Sequence, residues 1–164
     1  MRSKKTILIV IVAVILIGVL YAKFGMKLGS KHFNTYADFR SYAYTRTDVG
    51  MPEGAEDAKF YFTNSLSEYC SIYAFTLNGN DYKTFINGKA AYKNTEYYGM
   101  SVSEALASES EISKNIPFNE VIGDSIYNYE FIEYSPMGAG KHGGGVAVNP
   151  NTGRVVVFTQ GRSF

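Results

Sequence analysis

Residues Ser135–Gly145 read SPMGAGKHGGG, five glycines around Lys141 and one of the two histidines of the chain, His142. A phosphate cradle needs glycine, four residues, then Gly-Lys-Ser/Thr at the start of a helix, so that backbone N–H groups meet the anion. Here Ser135 stands where the first glycine belongs and His142 replaces the hydroxyl. The residues that follow are strand-like, so no helix end faces a phosphate. A dinucleotide fingerprint fails on the same ground. The expectation is a connecting loop whose glycines permit a close backbone crossing. Lys141 and His142 remain as candidate ligand or partner contacts at its tip.

The other reactive side chains are sparse. His32, His142 and the single cysteine, Cys70, share no metal-ligand spacing, and no DxDxDG-like calcium loop occurs. No metal and no cofactor are expected. Cys70 lies in an apolar run, where a small buried thiol is the default. A Cys–His dyad would require His32 or His142 to fold onto it, and no G-x-S-x-G elbow is present. Glu130 and Glu133 form a carboxylate pair, but three residues apart on a regular strand they point to opposite faces. Between Glu96 and Glu133 lie eight carboxylates and one base, Lys114. Within that stretch Glu104 and Glu111 are the candidate contacts for a basic partner.

These residues hang on two kinds of element. Thr6–Ala22, TILIVIVAVILIGVLYA, is 17 residues without a charge. As a helix it spans roughly 26 Å, close to the bilayer core of about 30 Å. Phe24 to Met26 lengthen it if Lys23 reaches back to the headgroups, so residues 6–26 are expected to meet membrane lipid. Arg2, Lys4 and Lys5 precede the span, and Lys23, Lys27 and Lys31 follow it. A cleaved signal peptide is the rival reading, but with Ala22 at −1, Leu20 occupies −3 where a small residue belongs. A short tail before a signal-anchor stays cytoplasmic, so the C-terminal domain is expected outside the cytoplasm, at the cell membrane.

Beyond Leu28 all fifteen acids meet eleven bases, a net charge of about −4. That sign repels nucleic acid, so none is expected as a partner. One cysteine permits no internal disulfide. Fourteen tyrosines and eleven phenylalanines favour strands and offer flat contact rings.

The expected organisation is an anchor over 1–27, a juxtamembrane segment with a short helix over 28–57, and a globular domain over 58–164. Phe33, Tyr36, Phe39 and Tyr42 recur at helical spacing after the spacer GMKLGSKH. AKFYFTN from Ala58 and EYCSIYAFTLN from Glu68 predict an antiparallel pair about SLS. The second is apolar on both faces, which places it centrally. Asn80 is the expected cap of a helix with Tyr82, Phe85 and Ile86 on one face. SVSE at Ser101–Glu104 opens another, with Val102, Ala105, Leu106 and Ile112 as its stripe. DSIYNYEFIEYS, GGVAVN and GRVVVFTQ complete the strands. The last two turn through NPNTG, where Pro150 presets φ and Gly153 takes the left-handed conformation. The fold class is therefore α+β, a transmembrane helix plus a mostly antiparallel sheet of about five strands with two or three helices.

A pilin-type processing site needs a glycine before an aromatic and a glutamate five residues on; SKKTILIVIV has neither. MPEGAEDAKFYF loosely resembles a segment of small bacterial membrane-anchored proteins, a resemblance that implies no activity and no residue role. The pattern implies a membrane-anchored binding or accessory domain whose partner is an envelope protein or glycan. The alternatives are a membrane-tethered hydrolase using His142 and a scaffold facing the cytoplasm. Nothing in the pattern sets an oligomeric state.

Overall fold

A computed structural model describes residues 2–24, 29–43, 49–65, 68–89, 121–123, 125–135 and 142–162. Its elements are α1 (Arg2–Phe24), β1 (Gly29–Phe33), α2 (Tyr36–Tyr42), β2 (Glu56–Asn64), β3 (Glu68–Thr76), α3 (Gly79–Gly88), a 3-10 turn (Ile126–Asn128), β4 (Glu130–Ser135), β5 (His142–Asn149) and β6 (Arg154–Arg162). The chain is α+β. Its strands form one six-stranded sheet in the order β1-β2-β3-β6-β5-β4, antiparallel throughout.

The two strands with the most apolar sequence stand side by side at the centre, as burial on both faces requires. In β3, Cys70, Ile72 and Ala74 join one buried cluster, while Tyr73 and Phe75 join the other. In β6, Val156 and Phe158 face the first, Val155 and Val157 the second. The second face is the one covered by α2 and α3. Thr35 caps α2: its hydroxyl oxygen accepts from the Asp38 N–H at 3.1 Å and donates back to Asp38 Oδ2 at 2.8 Å. The cap aims Phe39 into the sheet, where it is fully buried with rings of Phe60 and Tyr73 at 5.7 and 5.6 Å. Phe85 of α3 packs edge-on to Phe75 at 6.0 Å.

Several expectations change. The stretch GSKHF, read as part of a spacer, is edge strand β1, paired with β2 from Gly29↔Asn64 to Phe33↔Phe60. Segment 28–57 thus supplies a strand and the helix carrying Phe39, and the sheet has six strands rather than about five. The cap of α3 is Asn78, not Asn80, and Asn78 Nδ2 donates to Glu56 Oε2 at 3.1 Å instead of capping. The strand expected from Asp124 begins only at Glu130, because Ile126–Asn128 coil into a 3-10 turn. The helix expected from Ser101 lies outside the described residues.

Helix α1 runs unbroken for 23 residues. Its described side chains, 6–16 and Gly18, are exposed, Ile9 by 68% and Leu16 by 55%. Among the described residues no helix is long and apolar enough to cross a membrane. The transmembrane helix expected over residues 6–26 is therefore not supported by the described residues.

The glycine run is not a loose loop. Gly143, Gly144 and Gly145 lie buried inside β5, and the turn that follows is the expected one. Gly153 has φ 71° and its N–H donates to the Asn149 carbonyl at 2.9 Å. Gly145 pairs with Phe158 and Tyr134, whose ring centroids lie 6.2 Å apart. A Cβ on Gly145 would meet the Glu133 carbonyl at 2.7 Å and the Phe158 ring at 3.1 Å. Gly145→Ala is expected to lower stability by about 1–3 kcal/mol. The check is a urea midpoint that falls while the slope stays constant; an unmoved midpoint refutes the close packing.

Candidate functional site

The register collects the chemistry at one end of the sheet. Gly29 pairs with Asn64, Asn64 with Tyr69, Tyr69 with Gly161, and Gly161 with His142. His142 therefore stands at the sheet end where β1 begins, on the row of its first residue. Both ends of the 136–141 connection, Ser135 and His142, lie there too. Lys141 within it, and Glu104 and Glu111, fall outside the described residues.

His142 is half-buried, and its Nδ1 lies 3.0 Å from Tyr69 Oη. The two side chains meet over Gly161, where a Cβ would come within 2.5 Å of both. Tyr69 stacks on Phe62 at 6.5 Å, and Phe62 takes the edge of Tyr42 at 5.3 Å. Among the described residues Tyr69 is the hydrogen-bond partner of His142, and no carboxylate orients the imidazole. Among the described residues no serine or cysteine stands beside His142, so they do not assemble the three parts that acyl transfer uses.

Cys70 follows Tyr69 in sequence but belongs to the opposite face, packed with Ile72 and Ala74. The Cys–His dyad with His142 is therefore not assembled. Burial pushes the Cys70 thiol up to about 12, which makes it a poor nucleophile. His32 packs on Tyr61 at 4.7 Å, also on the face opposite His142. Among the described residues no group of three His, Cys, Asp or Glu side chains could hold a metal ion.

The carboxylate pair departs from expectation. A β-bulge between Phe131 and Glu133 inserts one residue, so Glu130 pairs with Val148 and Glu133 with Val146. Those two valines share one cluster, so the register sets Glu130 and Glu133 on the same face rather than opposite ones. Desolvation raises the Glu133 carboxyl above its ordinary value, and the Lys89 ammonium partly offsets it.

Two features were not read from the sequence. The first is a cleft of about 260 Å³ between β1 and α2, lined by Lys31–Asn34, Asp38, Ser41 and Tyr42. Lys31 Nζ lies 4.9 Å from the Phe33 ring and 4.7 Å from that of Tyr42. The signal was the Thr35–Asp38 cap, which marks α2 as part of the fold. The second lies at the far end of the sheet, where the buried Arg154 Nη1 donates to the Asp57 carbonyl at 2.6 Å, Asp57 Oδ2 at 2.9 Å and Thr76 Oγ1 at 3.1 Å. Asp57 has φ 44°, so this cation fastens a strained bulge in β2 and reads as structural.

No protein-family model, curated protein or solved structure matches the chain.

Two measurements test these environments. With its thiol moved from 9.0 to about 12, Cys70 should react with iodoacetamide at pH 8 on the order of a thousandfold slower in the folded chain than in urea. Equal rates would place the thiol at the surface. Glu133 is protonated more readily folded than unfolded, so its contribution to stability falls as pH rises from 4.5 through the raised folded value. Glu133→Gln should therefore raise the melting temperature at pH 7 and lose that advantage below pH 4.5. An advantage that persists in acid would contradict the assigned cause.

Proposed function

We propose that this chain is a single-pass membrane protein whose extracytoplasmic α+β domain binds a partner and performs no catalysis. The observation that carries this reading is α1 itself. Seventeen uncharged residues, Thr6–Ala22, lie inside one continuous helix, and every described side chain along it is exposed rather than packed on the sheet. Each such Ile, Leu or Val gains roughly 1.5–3 kcal/mol on leaving water, and lipid is the solvent that a helix apolar on all sides fits. The domain adds two supports. Its described titratable groups are dispersed over two faces and two ends of the sheet, and its described large rings are mostly used in packing. The described exposed tyrosine is Tyr127, open by 76%. An envelope protein or envelope glycan stacking there is the partner class this surface suits.

Membranes from cells that make the full chain should keep it in the pellet after alkaline carbonate washing, at its unprocessed mass. Protease added to intact cells should remove the domain. A chain washed off without processing ends the anchor reading. A domain spared in intact cells but digested after lysis reverses the orientation.

A further inference from the structure

The β1–α2 cleft holds an opposed pair of charges that the rest of the fold leaves available. Lys31 Nζ lies over two rings and, among the described residues, has no hydrogen-bond or ion-pair partner. Asp38 spends one carboxylate oxygen on the Thr35 hydroxyl, and its other oxygen has no described partner. Asn34 and Ser41 complete the polar wall, with the Ser41 hydroxyl donating to the Asp38 carbonyl at 2.8 Å. A cation and an anion in one small cleft match a small zwitterion.

The chain itself names the source. Lys31 lies seven residues after Phe24, the last residue of α1. At roughly 3.3–3.6 Å per residue that tether is at most about 25 Å. If α1 sits in the bilayer, the cleft stays within reach of the headgroup layer.

From these observations, and resting on the membrane reading above, we infer that the cleft binds the headgroup of phosphatidylethanolamine, its phosphate at Lys31 and its ammonium at Asp38. A primary ammonium donates hydrogen bonds to a carboxylate. The quaternary ammonium of phosphatidylcholine has no N–H and would seek an aromatic face, and Lys31 already lies over the Phe33 and Tyr42 rings. An anionic lipid without an amine leaves Asp38 as a repelling charge.

The test uses the full chain reconstituted in vesicles of equal phosphatidylethanolamine and phosphatidylcholine. Flotation is scored first. A chain that fails to float with the vesicles removes the membrane as source, and this inference with it. For the floating chain, lipids retained on gentle detergent extraction are counted by native mass spectrometry. Phosphatidylethanolamine should be enriched about threefold over phosphatidylcholine. Lys31→Ala and Asp38→Asn should each abolish the enrichment, while Lys59→Ala in β2 should keep it. Equal retention of the two lipids, or enrichment that survives Lys31→Ala, overturns the headgroup site and leaves the anchor standing. Soluble glycerophosphoethanolamine that binds the detergent-solubilised chain while the lipid is not enriched overturns the membrane as its source.

Discussion

The fold depends on one seam, the antiparallel pairing of β3 with β6. It runs from Glu68↔Arg162 to Thr76↔Arg154 without a break. On one side lies the meander β1–β2–β3, on the other β4–β5–β6, and in the described strands no other pairing joins the halves. The seam also forms the middle of both buried clusters, with Ile72 opposite Phe158 and Tyr73 opposite Val157. There is no disulfide to share the work, since Cys70 is alone. Hydrophobic burial on the two faces must therefore offset the entropy of closing a long loop between two strands.

The seam also explains why, among the described residues, Cys70 and His142 do not meet. Alternation along β3 sends Tyr69 and Cys70 to opposite faces, so the phenol that meets His142 and the thiol that might have served it are separated by the sheet. A strand that is apolar on both sides has no room for a charged nucleophile. The exceptions confirm the cost of burying charge. Arg154 is buried at the far end, where Asp57 and Thr76 take up Nη1; among the described residues its Nη2 has no partner.

Much of this was legible. β2, β3 and the β5–β6 turn follow from runs of aromatic and β-branched residues and from Pro150 and Gly153, where local sequence and fold agree. β1 was not legible because GSKHF has no alternating apolar pattern; its place comes from pairing with β2, a tertiary effect. The shared face of Glu130 and Glu133 was hidden because a bulge shifts parity, and no residue type announces one in EFIEYS. The Tyr69–His142 contact spans 73 positions, beyond any local signal. Gly161 was the available hint, a glycine in a strand marking a close approach. The cleft at Lys31 has no local signal because GMKLGSKH is small, polar and basic, the composition of a spacer.

Time and space run in different orders in this sheet. The strand that leaves the ribosome after the other five stands third from one edge, not at the rim. Until it arrives, β3 exposes an edge of unpaired amides flanked by Tyr, Ile and Phe, and β5 waits with a side-chain-free glycine run. Such half-sheets are templates for any extended polypeptide they meet. The chain is therefore most adhesive in the interval before β3 and β6 meet, and the finished sheet hides the edge that made it so.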